Sequence, residues 1–238
     1  MTTALIFAGG TGIRMNSRAK PKQFLELHGK PVLVYTIEHF ENHPEIDNII
    51  VVCIEEWITE LRHLLRQYML DKVSQIVPGG DRGDISIYKG LRALEDICKH
   101  DDIVLIHDGV RPLINSELIS KNIAKTKECG NAITIEAATE SIVRIDKNGL
   151  ISDTPSRHDM YHAKAPQTFR FGWIWELYKR AHNKGISSYD SAHLCGVFGE
   201  KMYTVMSTPN NLKITTPADY YIYRALYEAM ENEQIFGL

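Results

Sequence analysis

Residues 5–23 read LIFAGGTGIRMNSRAKPKQ, an apolar strand that runs straight into glycines and then into spaced cations. Ala4 to Phe7 have the continuous apolar character of a short buried strand. Phe7, Ala8, Gly9 and Gly10, with Gly12 close behind, can then bring bare backbone N–H groups against an anion, because glycine has no side chain to hold a phosphate away. Arg14, Lys20 and Lys22 follow and supply the full charges that backbone amides lack, as needed where a triphosphate is attacked and pyrophosphate leaves. The spacing matches neither common phosphate loop. No G-x-x-x-x-G-K-[ST] occurs, and Met15 stands where the dinucleotide fingerprint G-x-G-x-x-G needs its third glycine. The stretch predicts nucleotide phosphate chemistry at the end of a first strand, and the missing fingerprint argues against a nicotinamide-dependent oxidoreductase.

Outward from that loop, strands and helices alternate. Val32 to Phe40 reads helical, and Asn48 to Ile54 is an almost unbroken β-branched run of the kind buried on both faces of a sheet. Ile58 to Tyr68 repeats apolar residues at helical spacing. Val73 to Val77 is a strand, Pro78 to Asp81 a turn, and Ile85 to Ile97 a helix with Ile87, Leu91 and Leu94 on one face. Ile103 to Ile106 is a further strand. Asn115 or Ser116 caps a helix running to about Glu128, with Gly130 in the stop position, and Ala132 to Ile135 returns to strand. This alternation predicts an α/β fold with an open, mostly parallel, doubly wound sheet, whose ligands bind beyond the carboxyl ends of the strands.

From Glu136 to Gln167 the period changes. Short β-like pieces at Ser141 to Ile145, Leu150 to Ser152 and Met160 to Ala163 are separated by Lys147-Asn148-Gly149 and Thr154-Pro155-Ser156, and Asn148-Gly149 is a strong hairpin signal. A β-arm of this kind has little core of its own and is expected to pack on a second copy of the chain, making a homodimer. Helix returns at Trp173 to Asn183. A last helix starts at Thr216-Pro217 and runs to about Met230. The whole chain, 1–238, reads as one domain that includes the arm.

Three more constellations carry chemistry. In Gly80, Asp81, Arg82, Gly83, Asp84, Ile85 and Ser86 a second glycine turn precedes a helix, so backbone groups and the Ser86 hydroxyl either hold a base or ribose or form an ordinary αβ connection. In His107-Asp108-Gly109-Val110-Arg111-Pro112 an acid ends a buried strand. A carboxylate facing triphosphate oxygens is costly without a divalent cation between them, so Asp108 is the candidate magnesium ligand, unless it only caps a turn. Arg111 would then face the second substrate's phosphate. Lys213, set between Leu212 and Ile214 before the last helix, can be aimed at a ligand or left in solvent.

Bulk composition bounds these readings. With 44% apolar residues the chain can bury one sizeable core, and a net charge of −3 provides no field for nucleic acid. The four cysteines, Cys53, Cys98, Cys129 and Cys195, have no metal-type spacing and read as buried thiols of a reduced chain. No basic-then-apolar leader and no run of membrane-spanning length occurs, so a cytoplasmic protein without membrane attachment is expected. The ten histidines, including His107 and His162, read as structural or solvated.

Taken in order, GGTGIRM, PKQF, GGDRGDIS, HDGVRP, APQTF and NLKITTPAD resemble the cytidylyltransferases that join CTP to a polyol phosphate. The two nearest groups act on 2-C-methyl-D-erythritol 4-phosphate and on ribitol 5-phosphate, and the likeness spans essentially the whole chain. It implies a Rossmann-like nucleotidyltransferase domain, a dimer-forming β-arm, and CTP with Mg2+. It further implies that Arg14 and Lys22 stabilise the α-phosphate and that Phe7 to Gly10 and Gly80 to Ser86 hold CTP. Arg157, reaching the partner's site, and Lys213 would position the acceptor phosphate. Two positions depart from the family pattern: Ala165 and Tyr189 stand where threonines are usual, which removes two small hydroxyls beside the acceptor. PKQFLEL, HDGVRP and the surroundings of Arg157 resemble the ribitol group more closely, so the expected acceptor is ribitol 5-phosphate or a related pentitol phosphate. The product would be a CDP-polyol for teichoic acid or capsule.

Overall fold

Unbroken apolar runs and apolar stripes with period near 3.6 alternate along the chain, and most have become elements of the computed structural model, which describes residues 1–10, 20–208 and 210–236. In order these are β1 (Thr2–Ala8), β2 (Glu26–Leu27), β3 (Lys30–Pro31), α1 (Val32–Glu41), β4 (Asn48–Cys53), α2 (Ile58–Gln67) and β5 (Val73–Pro78). Next come α3 (Gly83–Ala93), β6 (Ile103–Asp108), α4 (Ser116–Cys129), β7 (Asn131–Ala137), β8 (Arg144–Ile145) and β9 (Ile151–Asp153). The chain finishes with β10 (Tyr161–Arg170), α5 (Phe171–Asn183), α6 (Ser191–Val197), β11 (Thr204–Met206) and α7 (Pro217–Phe236). Seven strands form the central sheet in the order β11-β7-β10-β6-β1-β4-β5. All run parallel except β10, which is antiparallel to both β6 and β7.

The unbroken apolar runs are explained by helices on both faces. Ala4 and Ile6 of β1, Ile49 and Val51 of β4, and Leu105 of β6 pack with Leu33, Ile37 and Phe40 of α1, Leu61 of α2 and Ile119 of α4. The alternate residues Leu5, Ile50, Val52, Val104 and Ile106 pack with Leu91 of α3 and Ile174 and Leu177 of α5 on the other face. A third cluster joins Val32 and Tyr35 to Val110, Ile214 and Tyr223, seating α7 beside the end of β6.

Local signals decide several boundaries. The Asn115 side chain accepts from the Leu118 N–H and Gly130 closes α4 at φ 89°, so Asn115 is the cap of the two candidates. At the start of α7 the Asp219 carboxylate accepts from the Thr216 N–H at 2.7 Å while the Thr216 hydroxyl accepts from the Asp219 N–H at 3.4 Å, a reciprocal cap with Pro217 in the first turn. Helix α3 begins at Gly83 and ends at Ala93, two residues earlier and four earlier than the expected Ile85 to Ile97, with turns completing the stretch to Cys98.

The stretch from Glu136 to Gln167 divides differently from its sequence reading. Met160 to Ala163 does not end an arm but leads into β10, whose second half inserts between β6 and β7; the pairing with β7 slips between Ala163 and Gln167, where the Ala165-Pro166 bond is cis. What stands outside the main sheet is the β8–β9 hairpin, turned at Gly149 with φ 82°, which exposes Val143, Ile145, Leu150 and Ile151. β11 and α6 were not foreseen. Cys53, Cys98 and Cys195 are buried thiols, Cys129 is half-buried, and among the described residues no helix is long and apolar enough to cross a membrane.

Candidate active site

Parallel registry brings the ends of four strands to one edge. Ala8 of β1 lies beside Cys53 of β4, Cys53 beside Pro78 of β5, and Phe7 beside Asp108 of β6. The chain moves outward from β1 to β4 and β5 and then returns to β6 on the other side of β1, which makes this the crevice where open α/β sheets bind ligands. Two glycine turns meet there. A Cβ on Gly79 would stand 2.9 Å from the Gly9 Cα, and one on Gly9 would stand 2.9 Å from the Ser86 Oγ, so the turns touch backbone to backbone. Gln23, almost wholly buried, donates to the Ala8 and Gly10 carbonyls at 2.6 and 3.3 Å and fixes the exit of β1. The Ser86 Oγ accepts from the Gly80 N–H at 3.0 Å, so the hydroxyl shapes its own turn. The Asp84 carboxylate, also buried, accepts from the Arg82 Nε and Nη2 and from the Ile85 and Ser188 N–H groups. Asp81 and Arg82 are exposed, and Ile85 is half-buried with its side chain packed under Gly80.

Beside these turns lies a knot of charge. The Asp108 Oδ2 accepts from the Arg111 Nε at 2.8 Å and its Oδ1 lies 2.5 Å from the Lys213 Nζ. Burial works against the Asp108 anion, but the two cations outweigh it and hold the carboxyl well below the usual carboxylate range. This corrects the sequence argument on one point: the cost of a carboxylate here is already met by Lys213 and Arg111. Arg111 is buried and also donates through Nη1 to the Asn211 carbonyl at 3.0 Å, while Asn211 donates to the Ala165 carbonyl at 2.6 Å. Lys22 donates to the Ile214 carbonyl at 3.0 Å, which ties it to the segment that carries Lys213. The Lys213 ammonium also lies 6.0 Å from the centre of the Phe7 ring.

A cleft of about 380 Å³ opens from this knot. Phe7, Gly83, Asp108, Arg111 and Lys213 are on its wall, as are Lys164, Ala165 and Tyr189. Arg157 is not. It lies in a short turn beyond the hairpin, exposed, with its Nη1 donating to the Thr139 carbonyl at 3.4 Å. Arg14 and Gly12 lie outside the described residues. A second groove, of about 530 Å³, runs along the edge strand β5 and is lined by Arg62, Arg66 and Ser74, none of which touches the glycine turns.

In sequence and in fold the chain is similar to known proteins. The sequence model of the family described as 2-C-methyl-D-erythritol 4-phosphate cytidylyltransferase, IspD, matches residues 2–228. This chain belongs to the IspD family. It is 46% identical to a ribitol-5-phosphate cytidylyltransferase of Streptococcus agalactiae and 44% identical to one of Vibrio parahaemolyticus, each over the full length of both chains. A 2-C-methyl-D-erythritol 4-phosphate cytidylyltransferase of Clostridium botulinum is 34% identical, over 96% of this chain and 98% of that one. The solved structure of 4-diphosphocytidyl-2C-methyl-D-erythritol synthase from Anaerococcus prevotii superposes with a TM-score of 0.83 at 28% identity, covering 95% and 98% of the two chains. The chain is therefore a cytidylyltransferase, a nucleotidyltransferase that uses CTP, with a Rossmann-like sheet.

Within the IspD family's fold, sequence reasoning missed Gln23, Lys164, Gln167 and Asp190 as contributors to the site. Gln23 sits inside the quoted PKQF, and Gln167 inside APQTF, where its Oε1 accepts from the Ala192 N–H at 2.9 Å and ties α6 to the cleft. Nothing local marks Lys164, because its place depends on the slip in β10. Among the described residues no group of three or more acidic, histidine or cysteine side chains is gathered for a metal. A single carboxylate with substrate phosphates and water is a common way to hold Mg2+, and Asp108 would serve as that carboxylate only by sharing oxygens that already face Arg111 and Lys213.

Proposed function

We propose that this enzyme transfers CMP from CTP to a polyol phosphate, ribitol 5-phosphate or a related pentitol phosphate, releasing pyrophosphate and yielding a CDP-polyol for teichoic acid or capsule. The observation that carries the acceptor is the full-length identity of 44–46% to ribitol-5-phosphate cytidylyltransferases, against 34% to a relative named for the erythritol acceptor. That weaker likeness keeps 2-C-methyl-D-erythritol 4-phosphate as the second reading. The exposed phenol of Tyr189 and the small Ala165 on the cleft wall change the pocket's shape and hydrogen bonding relative to both groups, which is why a related pentitol phosphate stands beside ribitol 5-phosphate as the acceptor.

In the mechanism, an oxygen of the acceptor phosphate attacks the α-phosphorus of CTP in line. The bond from that phosphorus to the bridging oxygen breaks and pyrophosphate leaves with the electron pair. A phosphate monoester is already largely ionised near neutral pH, so no general base is needed. The converged turns at Gly9, Gly10 and Gly80 to Ser86 hold the nucleotide. Arg14 and Lys22 stabilise charge developing at the α-phosphate, and Lys213 and Arg111, oriented by Asp108, face the acceptor. Mg2+, held by Asp108 together with the triphosphate, would neutralise phosphate charge.

The reading further takes residues 1–238 as one domain that works in the cytoplasm as a homodimer, with the β8–β9 hairpin and Arg157 reaching a partner. The exposed apolar residues of the hairpin support that assembly. Pyrophosphate release over a panel of nucleoside triphosphates against ribitol 5-phosphate, other pentitol phosphates and 2-C-methyl-D-erythritol 4-phosphate tests the whole assignment. CTP with ribitol 5-phosphate is expected to give the highest kcat/KM. A preference for the erythritol acceptor overturns the first reading in favour of the second.

A further inference from the structure

The wall of the acceptor cleft carries more cations than carboxylates. Its ionic wall residues are Asp108 and Asp190 against Arg111, Lys164 and Lys213. Arg111 and Lys213 both contact Asp108, and Asp190 spends its Oδ1 on the His193 N–H as the cap of α6. Within the wall itself three cations face two carboxylates, and Lys164 is the cation whose carboxylate partner, Glu136, stands behind the wall rather than on it.

Its place on the wall comes from the slip in β10. Alternate residues of a regular strand face opposite ways, yet the successive residues Ala163, Lys164 and Ala165 all line the cleft, because pairing with β7 is interrupted between Ala163 and Gln167. The ammonium is also fixed. It pairs with the Glu136 Oε2 at 2.7 Å, and Glu136, on β7, is not part of the cleft wall. The Lys164 side chain is 19% exposed, so little of it is left to solvent. An ammonium has three donors, so one contact to Glu136 leaves others for a ligand. Ala165 next to it offers no side-chain donor.

We propose that Lys164 is an acceptor-binding residue, its ammonium held by Glu136 and directed to the acceptor's phosphomonoester dianion. The proposal rests on the polyol-phosphate reading of this site. It adds a cation that neither the glycine turns nor the Asp108 knot provides.

The test compares wild type with Lys164→Gln and Lys164→Arg in full steady-state kinetics, together with calorimetric titration of inorganic phosphate and of free ribitol. Lys164→Gln is expected to raise KM for the acceptor roughly 10-fold or more, with KM for CTP nearly unchanged, since one charge-assisted contact is lost at one ligand only. Inorganic phosphate should bind correspondingly more weakly and free ribitol as before, and Lys164→Arg should recover much of the loss. Glu136→Gln, which keeps the cation but loosens it, should give a smaller rise in acceptor KM and serves if Lys164→Gln does not fold. Unchanged acceptor KM and unchanged phosphate binding in Lys164→Gln overturn the proposal. So does a parallel rise in both KM values with a lower thermal midpoint, the signature of a merely structural residue. Wild type that turns over no polyol phosphate defeats the functional reading instead, and the phosphate titration still decides whether Lys164 binds an anion.

Discussion

Lys22 and His107 sit one on each side of the same chemistry and answer to different measurements. Lys22 lies where the cationic loop meets the segment bearing Lys213, through its bond to the Ile214 carbonyl. If its charge acts on the α-phosphate as negative charge develops, Lys22→Ala should lower kcat by roughly 10²-fold or more with a small change in KM for CTP. A rise confined to KM for CTP would assign Lys22 to ground-state binding. His107 is wholly buried against Phe40, its ring centre 5.1 Å away, on the face of β6 opposite the cleft. Burial pushes its pKa down from 6.5 to about 3. The folded protein therefore keeps His107 neutral where the unfolded chain takes up a proton. Stability from this group is complete above about pH 6.5 and is lost as pH falls below it, by about 2 kcal/mol at pH 5. His39 and His43 are also lowered by burial and act in the same direction. Urea midpoints measured from pH 7 to pH 5 should fall steadily, and His107→Gln should flatten part of that slope. A wild-type midpoint independent of pH over this range would contradict the assignment of a buried neutral ring.

Among the elements, the decisive contact is between turns. Gly9 and Gly79 approach so closely that a methyl on Gly79 would press on the Gly9 backbone at 2.9 Å, and backbone cannot rotate away as a side chain can. Gly79→Ala should cost about 1–3 kcal/mol of stability. It should also weaken CTP binding, read as Kd, by about 10-fold or more, since displaced phosphate donors lose their alignment. Asn115→Ala is the matched control. Loss of the α4 cap costs about 1 kcal/mol with CTP binding unchanged. Equal effects of both variants on CTP would mean that the turns hold no nucleotide. The residues of these elements were legible in the sequence to different degrees. The described glycines of the two turns, the caps at Gly130 and Thr216, and the choice of Asn115 over Ser116 all depend on neighbours a few residues away. Lys164, Gln167 and Asp190 enter the cleft through strand slippage and through loop-to-loop bonds such as that from the Ser188 N–H to Asp84, which no local pattern encodes.

For the molecule as a whole the question is whether one chain completes its own site. Arg157 is exposed and off the cleft wall, beyond a hairpin that leaves apolar side chains in solvent. On the proposed homodimer it serves the neighbour. Mixing inactive Arg157→Ala and Lys22→Ala proteins should then restore activity, because subunit exchange creates one site carrying both defects and one carrying neither. Mass measurement checks the exchange. Confirmed heterodimers without recovered activity would place Arg157 in its own subunit's site or in none.

The sequence alone determined the parallel core, because β1, β4 and β6 are continuous apolar runs that only a sheet covered on both faces can bury, and it determined the place of the glycine turns, because glycine conformations are set locally. Tertiary structure decided the rest. The insertion of β10 antiparallel between β6 and β7 pairs it with β6 residues about sixty positions earlier, and the short β11 is a strand only because β7 is there to pair with it. The partners of Asp108 were likewise beyond the sequence's reach. A carboxylate at a strand end suits a metal or a pair of cations equally well until the fold brings Lys213, from the far end of the chain, to within 2.5 Å of it, and Coulomb energy depends on distance in space rather than along the chain.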